Sequence, residues 1–424
     1  MKSEQIPETG KNTLNILYVI FIFFGIAFTI IDPLIPLVSE KLGIGYDRIG
    51  LILFASSSIS LAATFLSGRF ADRYDLKKII ISGIIITSAG FLIYGIVFGF
   101  IVFLLTVVFF RIGCGILDSS VHAYVSKSYK NQQSALFVKL DMFWYIGAVI
   151  SPMVVSILLY LDIDTRYAFM GFFAAILLVF LLFIKSFNGL KHNSQNDFRD
   201  PVEKNIKTAV EMPEDSKTIA GEPLNCFAGH GNTYLKILKN PVILLCAAGL
   251  FFYIGIFTLL STWLTTYFAD FGISVAFGSM VLSGFWAFNA VGLFITGRFI
   301  RRFNENKLIL LYSIIGAICT VFYSMLQNIY VKIIFLILQA IFYSSFFPIL
   351  NSIAVRENEK SCGTVLGITL SVSVIGLVFF QPVSGSVMEY SGKDGVNYLL
   401  IATSALFLVS ILTLYLKIVR QNRN

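Results

Sequence analysis

Charge is what this sequence has least of. Only 13% of its 424 residues are Asp, Glu, Lys or Arg, about half the share that clothes a typical water-soluble domain. Histidine occurs three times and cysteine five. Cys114, Cys226, Cys246, Cys319 and Cys362 show no paired spacing, so neither a disulfide framework nor a metal site is indicated. Phosphate-cradling glycine loops, activated nucleophiles and adjacent catalytic pairs are also missing, which argues against an enzyme and against any cofactor. What fills the space is apolar: 57% hydrophobic residues, 15% aromatics and a mean hydropathy of +0.81. A chain of this composition is a polytopic membrane protein.

Apolar runs of about 20 residues match the hydrocarbon thickness of a bilayer. Twelve are recognisable, beginning near Leu14, Ile49, Ile79, Ile101, Leu136, Tyr167, Val242, Val275, Leu308, Val331, Val365 and Tyr398. Backbone groups in lipid must bond internally, so the runs are helices and the expected class is an all-α membrane protein. The first run is too long, and lacks the small-residue cleavage pattern, for a secretory signal. The expected organisation is a short amino-terminal segment (1–13), a six-helix bundle (14–185), a polar linker (186–240), a second six-helix bundle (241–417) and a tail (418–424).

Basic residues set the orientation. Of the 32 Lys and Arg, Lys41, Arg48, Arg166, Lys332 and Lys393 fall in outer loops and Arg111 lies inside a span; the rest sit on one side. Both termini are therefore expected in the cytoplasm, with the chain in the cell membrane. The net charge of +8 then reflects anchoring to anionic lipid and calls for no nucleic acid.

The two bundles repeat one another. Gly68-Arg69-Phe70-Ala71-Asp72-Arg73-Tyr74 recurs as Gly297-Arg298-Phe299-Ile300-Arg301-Arg302-Phe303, Gly43-Ile44 as Gly272-Ile273, and Ile146-Gly147-Ala148-Val149 as Ile375-Gly376-Leu377-Val378, all at one offset. Parallel six-helix repeats place a cavity between the halves near the membrane midplane.

The run Gly68 to Arg73, followed by Lys77-Lys78, resembles the signature loop of the major facilitator superfamily. Helix count, central linker and second-half copy extend that resemblance over the whole chain. It implies a secondary transporter working by alternating access. In this reading Gly68, Asp72, Arg73 and Lys77, with Gly297, Arg298 and Arg301, form a conformational latch. Gly113-Cys114-Gly115-Ile116-Leu117-Asp118-Ser119-Ser120, together with Asp32 and Pro36, is similar to the fucose/hexose permease branch. That resemblance implies protonation and substrate-linked roles for Asp32 and Asp118 and a sugar-like solute.

The residues also speak for themselves. Asp32, Arg111, Asp118, His122 and Asp141 lie within apolar spans, where ionisable groups are expensive and mark pathways or proton relays. Asp118 and His122 share a helical face, and Arg111 lies seven residues back on nearly the same stripe. These five are the expected proton-coupling set. Structural roles are open to three of them: Arg111 as an ion-pair tie, His122 as a neutral hydrogen-bonding residue, and Asp141 as a group satisfied by Lys139 or interfacial water. The second half shows no comparable intramembrane charge, and its neutral candidates for solute binding are Tyr253, Thr262, Trp263, Trp286, Asn289, Tyr343, Asn351 and Gln381. The expected partners are a small organic molecule, H⁺ and membrane lipid, with the chain acting as a monomer. Export of drugs or metabolites by the same fold, and a non-transporting membrane sensor, are the alternatives.

Overall fold

The computed structural model describes residues 8–71, 74–97, 99–129, 133–190, 239–299, 305–358 and 362–421, and every regular element among them is helical. The first crossing is α1 (Glu8–Thr29), a 3-10 turn (Asp32–Leu34) and α2 (Ile35–Leu42). Single helices follow: α3 (Tyr46–Ala71), α4 (Leu76–Ile96), α5 (Phe100–Ser128), α6 (Gln133–Tyr160) and α7 (Arg166–Leu190). The second half begins with α8 (Pro241–Thr262) and α9 (Leu264–Ala269), then α10 (Val275–Phe299) and α11 (Glu305–Met325). It continues with α12 (Ile329–Tyr343), α13 (Phe346–Arg356) and α14 (Cys362–Gln421).

Eleven apolar stretches are long enough to cross a membrane. The last belongs to α14, whose 60 residues would measure about 90 Å if straight, three times the hydrocarbon thickness. Gly392 divides it: at φ 56° and ψ −152° its backbone lies where a side chain is strained. The described residues therefore make twelve crossings. The helix α7 runs five residues past the expected boundary at 185, and most of the expected linker lies outside the described residues.

Helix starts follow local chemistry. Asn240 caps α8 by accepting from the amides of Val242 and Ile243, with Pro241 in the first turn; Asn328 does the same for α12 and Asp75 for α4. Such caps satisfy amide donors that no helical carbonyl can reach.

Three crossings are broken within the bundle. Pro33 and Pro36 lack amide donors and separate α1 from α2 through the turn at Asp32. At the third, Ser345 (φ −101°, ψ −3°), with Ser344, separates α12 from α13, where Pro348 has no amide to offer the Ser344 carbonyl; at the second, Trp263 (φ −101°, ψ 0°) separates α8 from α9 without a proline. Both backbones sit in the sparsely populated bridge region.

The halves meet chiefly through α3 against α14 and α6 against α10. We call the side carrying the connections after α3 and α10 the basic face and the opposite side the far face. Toward the far face the halves close. The Tyr46 amide donates to Glu389 Oε2 at 2.6 Å, Ser156 Oγ to the Ala276 carbonyl at 2.7 Å and Ser283 Oγ to the Val149 carbonyl at 2.8 Å. Gly50 and Gly385 allow the closest approach: a Cβ on Gly385 would come within 2.6 Å of the Tyr46 carbonyl oxygen and 2.9 Å of the Gly50 Cα.

Candidate functional site

A cavity lies between the halves in two lobes of about 550 and 650 Å³ that share Phe24, Phe28, Asp118, Trp144, Ile254, Phe257 and Phe347 in their walls. The first lobe reaches toward the closed end and adds Asp32, Ser57, Arg111, Ser261, Thr262 and Gln381. The second runs toward the basic face past Asp141, Tyr145, Tyr253, Gly297 and Glu305. All three helix breaks reach this space: Asp32 from the first, Ser261 and Thr262 beside the second, Ser344 and Ser345 at the third. Interrupted helices at a midplane cavity are a recurring way to present polar groups in a membrane.

Four of the five expected ionisable residues line the cavity, and His122 is held at its edge by Asp118. Asp32 is 5% exposed and Arg111 6%. They face one lobe, yet no ion pair joins them among the described residues. Arg111 instead lies over the Phe28 ring, 4.3 Å from its centroid. His122 Nδ1 stands 3.1 Å from Asp118 Oδ1 and 2.8 Å from the Asp118 carbonyl oxygen, with its ring edge-on to Phe21 and Phe137. Asp118 opens into both lobes, with 44% of its side chain exposed. Asp141 is exposed within the wider lobe.

The neutral candidates divide. Tyr253, Thr262 and Gln381 line the lobes. Trp263 is fully buried, donating to Ser384 at 2.7 Å. Asn351 accepts from Thr369 at 2.6 Å, Asn289 donates to the Phe285 carbonyl at 2.9 Å, and the Tyr343 hydroxyl bonds Ser404 at 2.9 Å. Trp286 stands behind the wall, 5.2 Å from Trp144 and 5.1 Å from Phe257. None of these five lines either lobe. The wall is instead made by Phe24, Phe28, Trp144, Phe257 and Phe347, with Ser57, Ser60 and Thr64 from α3. Ser57, Ser60 and Thr64 recur at i, i+3 and i+7, so a polar stripe on one face of α3 marks them in the sequence.

One reading of the charges is corrected. Lys332 lies not in an outer loop but inside α12, 0% exposed. Its ammonium donates to the Tyr267 hydroxyl at 2.7 Å and the Tyr323 carbonyl at 2.6 Å, among the rings of Tyr267, Phe271 and Tyr323. Tyr267 in turn donates to Asn397 Oδ1 at 2.9 Å. The second half therefore does bury a charge, although neither lobe reaches it.

At the basic face, Gly68 and Gly297 each have open space where a Cβ would stand. Lys77 lies in the first turn of α4 and Arg298 packs over Phe294 at 4.5 Å. Asp72, Arg73 and Arg301 lie outside the described residues.

The chain matches the Major Facilitator Superfamily over residues 17–356 and 245–424. It belongs to that superfamily. Solved structures with the same fold include a bacterial homologue of the human lysosomal transporter Spinster in an inward-facing, unoccupied conformation. That structure is 16% identical, with a TM-score of 0.74 and 97% of each chain covered. An inward-facing, occupied form has 14% identity, a TM-score of 0.73 and 96% of each chain covered. The superfamily transporter FucP in its outward conformation is 17% identical, with a TM-score of 0.59 over 95% of this chain and 98% of its own. No curated protein matches by sequence. A superfamily member of this kind is a transporter, not an enzyme; it sits in lipid and handles a small molecule.

Proposed function

We propose that this superfamily member is a proton-coupled secondary transporter. It carries a small organic solute across the cytoplasmic membrane by alternating access, works as a monomer, and stands here open toward the cytoplasm. The basic face is the cytoplasmic one because Lys and Arg concentrate there. The observation that carries the reading is Asp32: a buried carboxyl held at a helix break and bordering a cavity lined by both halves. A proton on that carboxyl alters the charge of the lobe, so the loaded and unloaded states differ in which face they favour. Asp118 with His122, and Asp141 nearer the cytoplasm, supply a route for the proton. Gly68, Asp72, Arg73 and Lys77, with Gly297, Arg298 and Arg301, act as the latch that closes this face in the other state.

The walls favour a solute with a flat apolar body and one polar end over a polyhydroxylated sugar. A sugar needs a partner for each hydroxyl, and Trp263, Trp286, Asn289, Tyr343 and Asn351 are behind the wall. Export of lipophilic cations is the second reading, favoured by the carboxyls of Asp118 and Asp141 among aromatic faces.

The test is accumulation of labelled solute by proteoliposomes under an imposed pH gradient. Wild type should accumulate solute uphill and collapse to equilibrium when the gradient is dissipated. Asp118→Asn should lose accumulation while keeping part of its counterflow exchange. Uphill accumulation indifferent to the pH gradient would refute proton coupling.

A further inference from the structure

The closed end of the cavity holds polar atoms that no protein group satisfies. Ser57, Arg111 and Gln381 are 2%, 6% and 1% exposed, and all three border the lobe that contains Asp32. Ser57 Oγ, Arg111 Nη1 and Gln381 Oε1 each lack a hydrogen-bond partner. They come from α3, α5 and α14, each roughly ten residues, about 15 Å, from the far end of its crossing, and so form one layer. Buried polar atoms are nearly always paired. Three orphans in one layer, beside one cavity, point to a ligand.

We propose that this layer receives the carboxylate of an organic acid whose flat body lies along Phe24, Phe28, Trp144 and Phe257. The guanidinium N–H of Arg111 and the hydroxyl of Ser57 donate to the two carboxylate oxygens, a charge-assisted arrangement. A phosphate ester would bring a second charge, and Arg111 is the one cation among the residues lining this lobe. A cation would meet Arg111. Gln381 Oε1 is an acceptor, and it takes a hydroxyl or amide N–H carried beside the carboxylate. Ser57 and Arg111 belong to the first half and Gln381 to the second, so a head group bonded to all three ties the halves together at the closed end. The inference rests on the cavity being the transport site with Asp32 as proton carrier: a proton on Asp32 leaves Arg111 as the charge that the acid neutralises, so acid and proton travel as one neutral load.

The test is binding of four probes with one indole body to the purified full-length protein, read by calorimetry and thermal stabilisation. The probes are indole-3-lactate, indole-3-propionate, tryptamine and tryptophol. Both acids should bind and stabilise, the lactate about fivefold tighter through its hydroxyl, with tryptamine and tryptophol failing to compete. Ser57→Ala should weaken both acids about tenfold, and Arg111→Lys more, because a point charge replaces a fork of donors. Gln381→Leu should erase the lactate's advantage and spare the propionate. If Arg111→Lys does not fold, the Ser57 and Gln381 variants still decide. Tryptamine outcompeting the acids, no stabilisation by either acid, or unchanged affinities in both Ser57→Ala and Gln381→Leu would overturn the proposal. Those outcomes leave proton-driven transport to stand or fall on its own flux assay.

Discussion

The two halves of the cavity wall share a backbone plan and differ in chemistry. At the offset that aligns Gly68 with Gly297, Phe24 answers Tyr253, Phe28 answers Phe257, Asp32 answers Ser261, Asp118 answers Phe347 and Asp141 answers Leu370, and all ten border the lobes. The aromatic positions are kept as aromatics. The three acidic positions of the first half become a hydroxyl, a ring and an aliphatic chain in the second. Arg111 answers Ala340, so the cation is one-sided too. Aromatic faces are thus common to both walls, while the acids belong to the first, which is where the proposed function puts proton exchange. The charge that the second half does bury, Lys332, is enclosed by rings and spent on holding α12 to α9 and to the end of α11.

That contrast can be broken at four places, in falling order of effect. The largest is at the far seal. Gly385→Leu puts a side chain against the Tyr46 carbonyl and Gly50, an overpacking that costs roughly 1–3 kcal/mol and falls only on the form seen here. Spin labels at Arg48 and Tyr390 should report the far face opening, with transport down more than about tenfold for a shift of that size. Gly68→Leu at the open basic face should leave those distances unchanged. Next is Lys332→Ala, which leaves the Tyr323 carbonyl without its donor among buried rings while the Tyr267 hydroxyl keeps its bond to Asn397, and it should cost about 1–2 kcal/mol in chemical unfolding. Lys332→Met, apolar and of similar length, should cost less.

His122→Gln removes the ring nitrogen beside Asp118 and keeps a hydrogen-bonding side chain. Proton-driven accumulation should fall several-fold, while Asn351→Gln at the matching second-half position leaves its pH dependence unaltered. The smallest effect lies outside the membrane. Arg166 donates to Asp164 from its backbone and its Nε, both at 2.9 Å, and holds that carboxyl below its ordinary value. A depressed carboxyl contributes stability that is fully present above the unfolded-state value near 4 and is lost as pH falls through the folded value. Being a surface pair, it is worth about 0–1 kcal/mol. Asp164→Asn should therefore lower the melting temperature slightly at neutral pH and not at strongly acidic pH.

Much of this architecture is legible in the chain because lipid permits so few solutions. Runs of apolar residues the length of a bilayer must be helices, and the repeat at Gly68 and Gly297 fixes how two sets of six correspond. Asp32 and Arg111 stand out because a charge within such a run has no neutral explanation in composition. Other features have no local sign. The break at Trp263 contains no proline or glycine, and tertiary packing sets it, whereas Pro348, four residues after Ser344, does mark the third break. Lys332 follows Asn328 closely and so resembles an interfacial residue; the rings that bury it come from α9, the turn that follows α9, and α11. Much of the cavity wall is aromatic like the lipid-facing sides, which hides rotation about most helix axes; α3 is the exception, its polar stripe of Ser57, Ser60 and Thr64 facing the cavity. Trp263, Tyr343 and Asn351 are polar too, yet they bond Ser384, Ser404 and Thr369 within the bundle.

Solute-triggered proton flux in proteoliposomes carrying Asp32→Asn, set beside Ser261→Ala at the matching position of the other half, tests the division of labour most directly. The flux should vanish in the first and persist within about twofold in the second, a change below 1 kcal/mol. Equal flux from both variants, or loss only in Ser261→Ala, would contradict it.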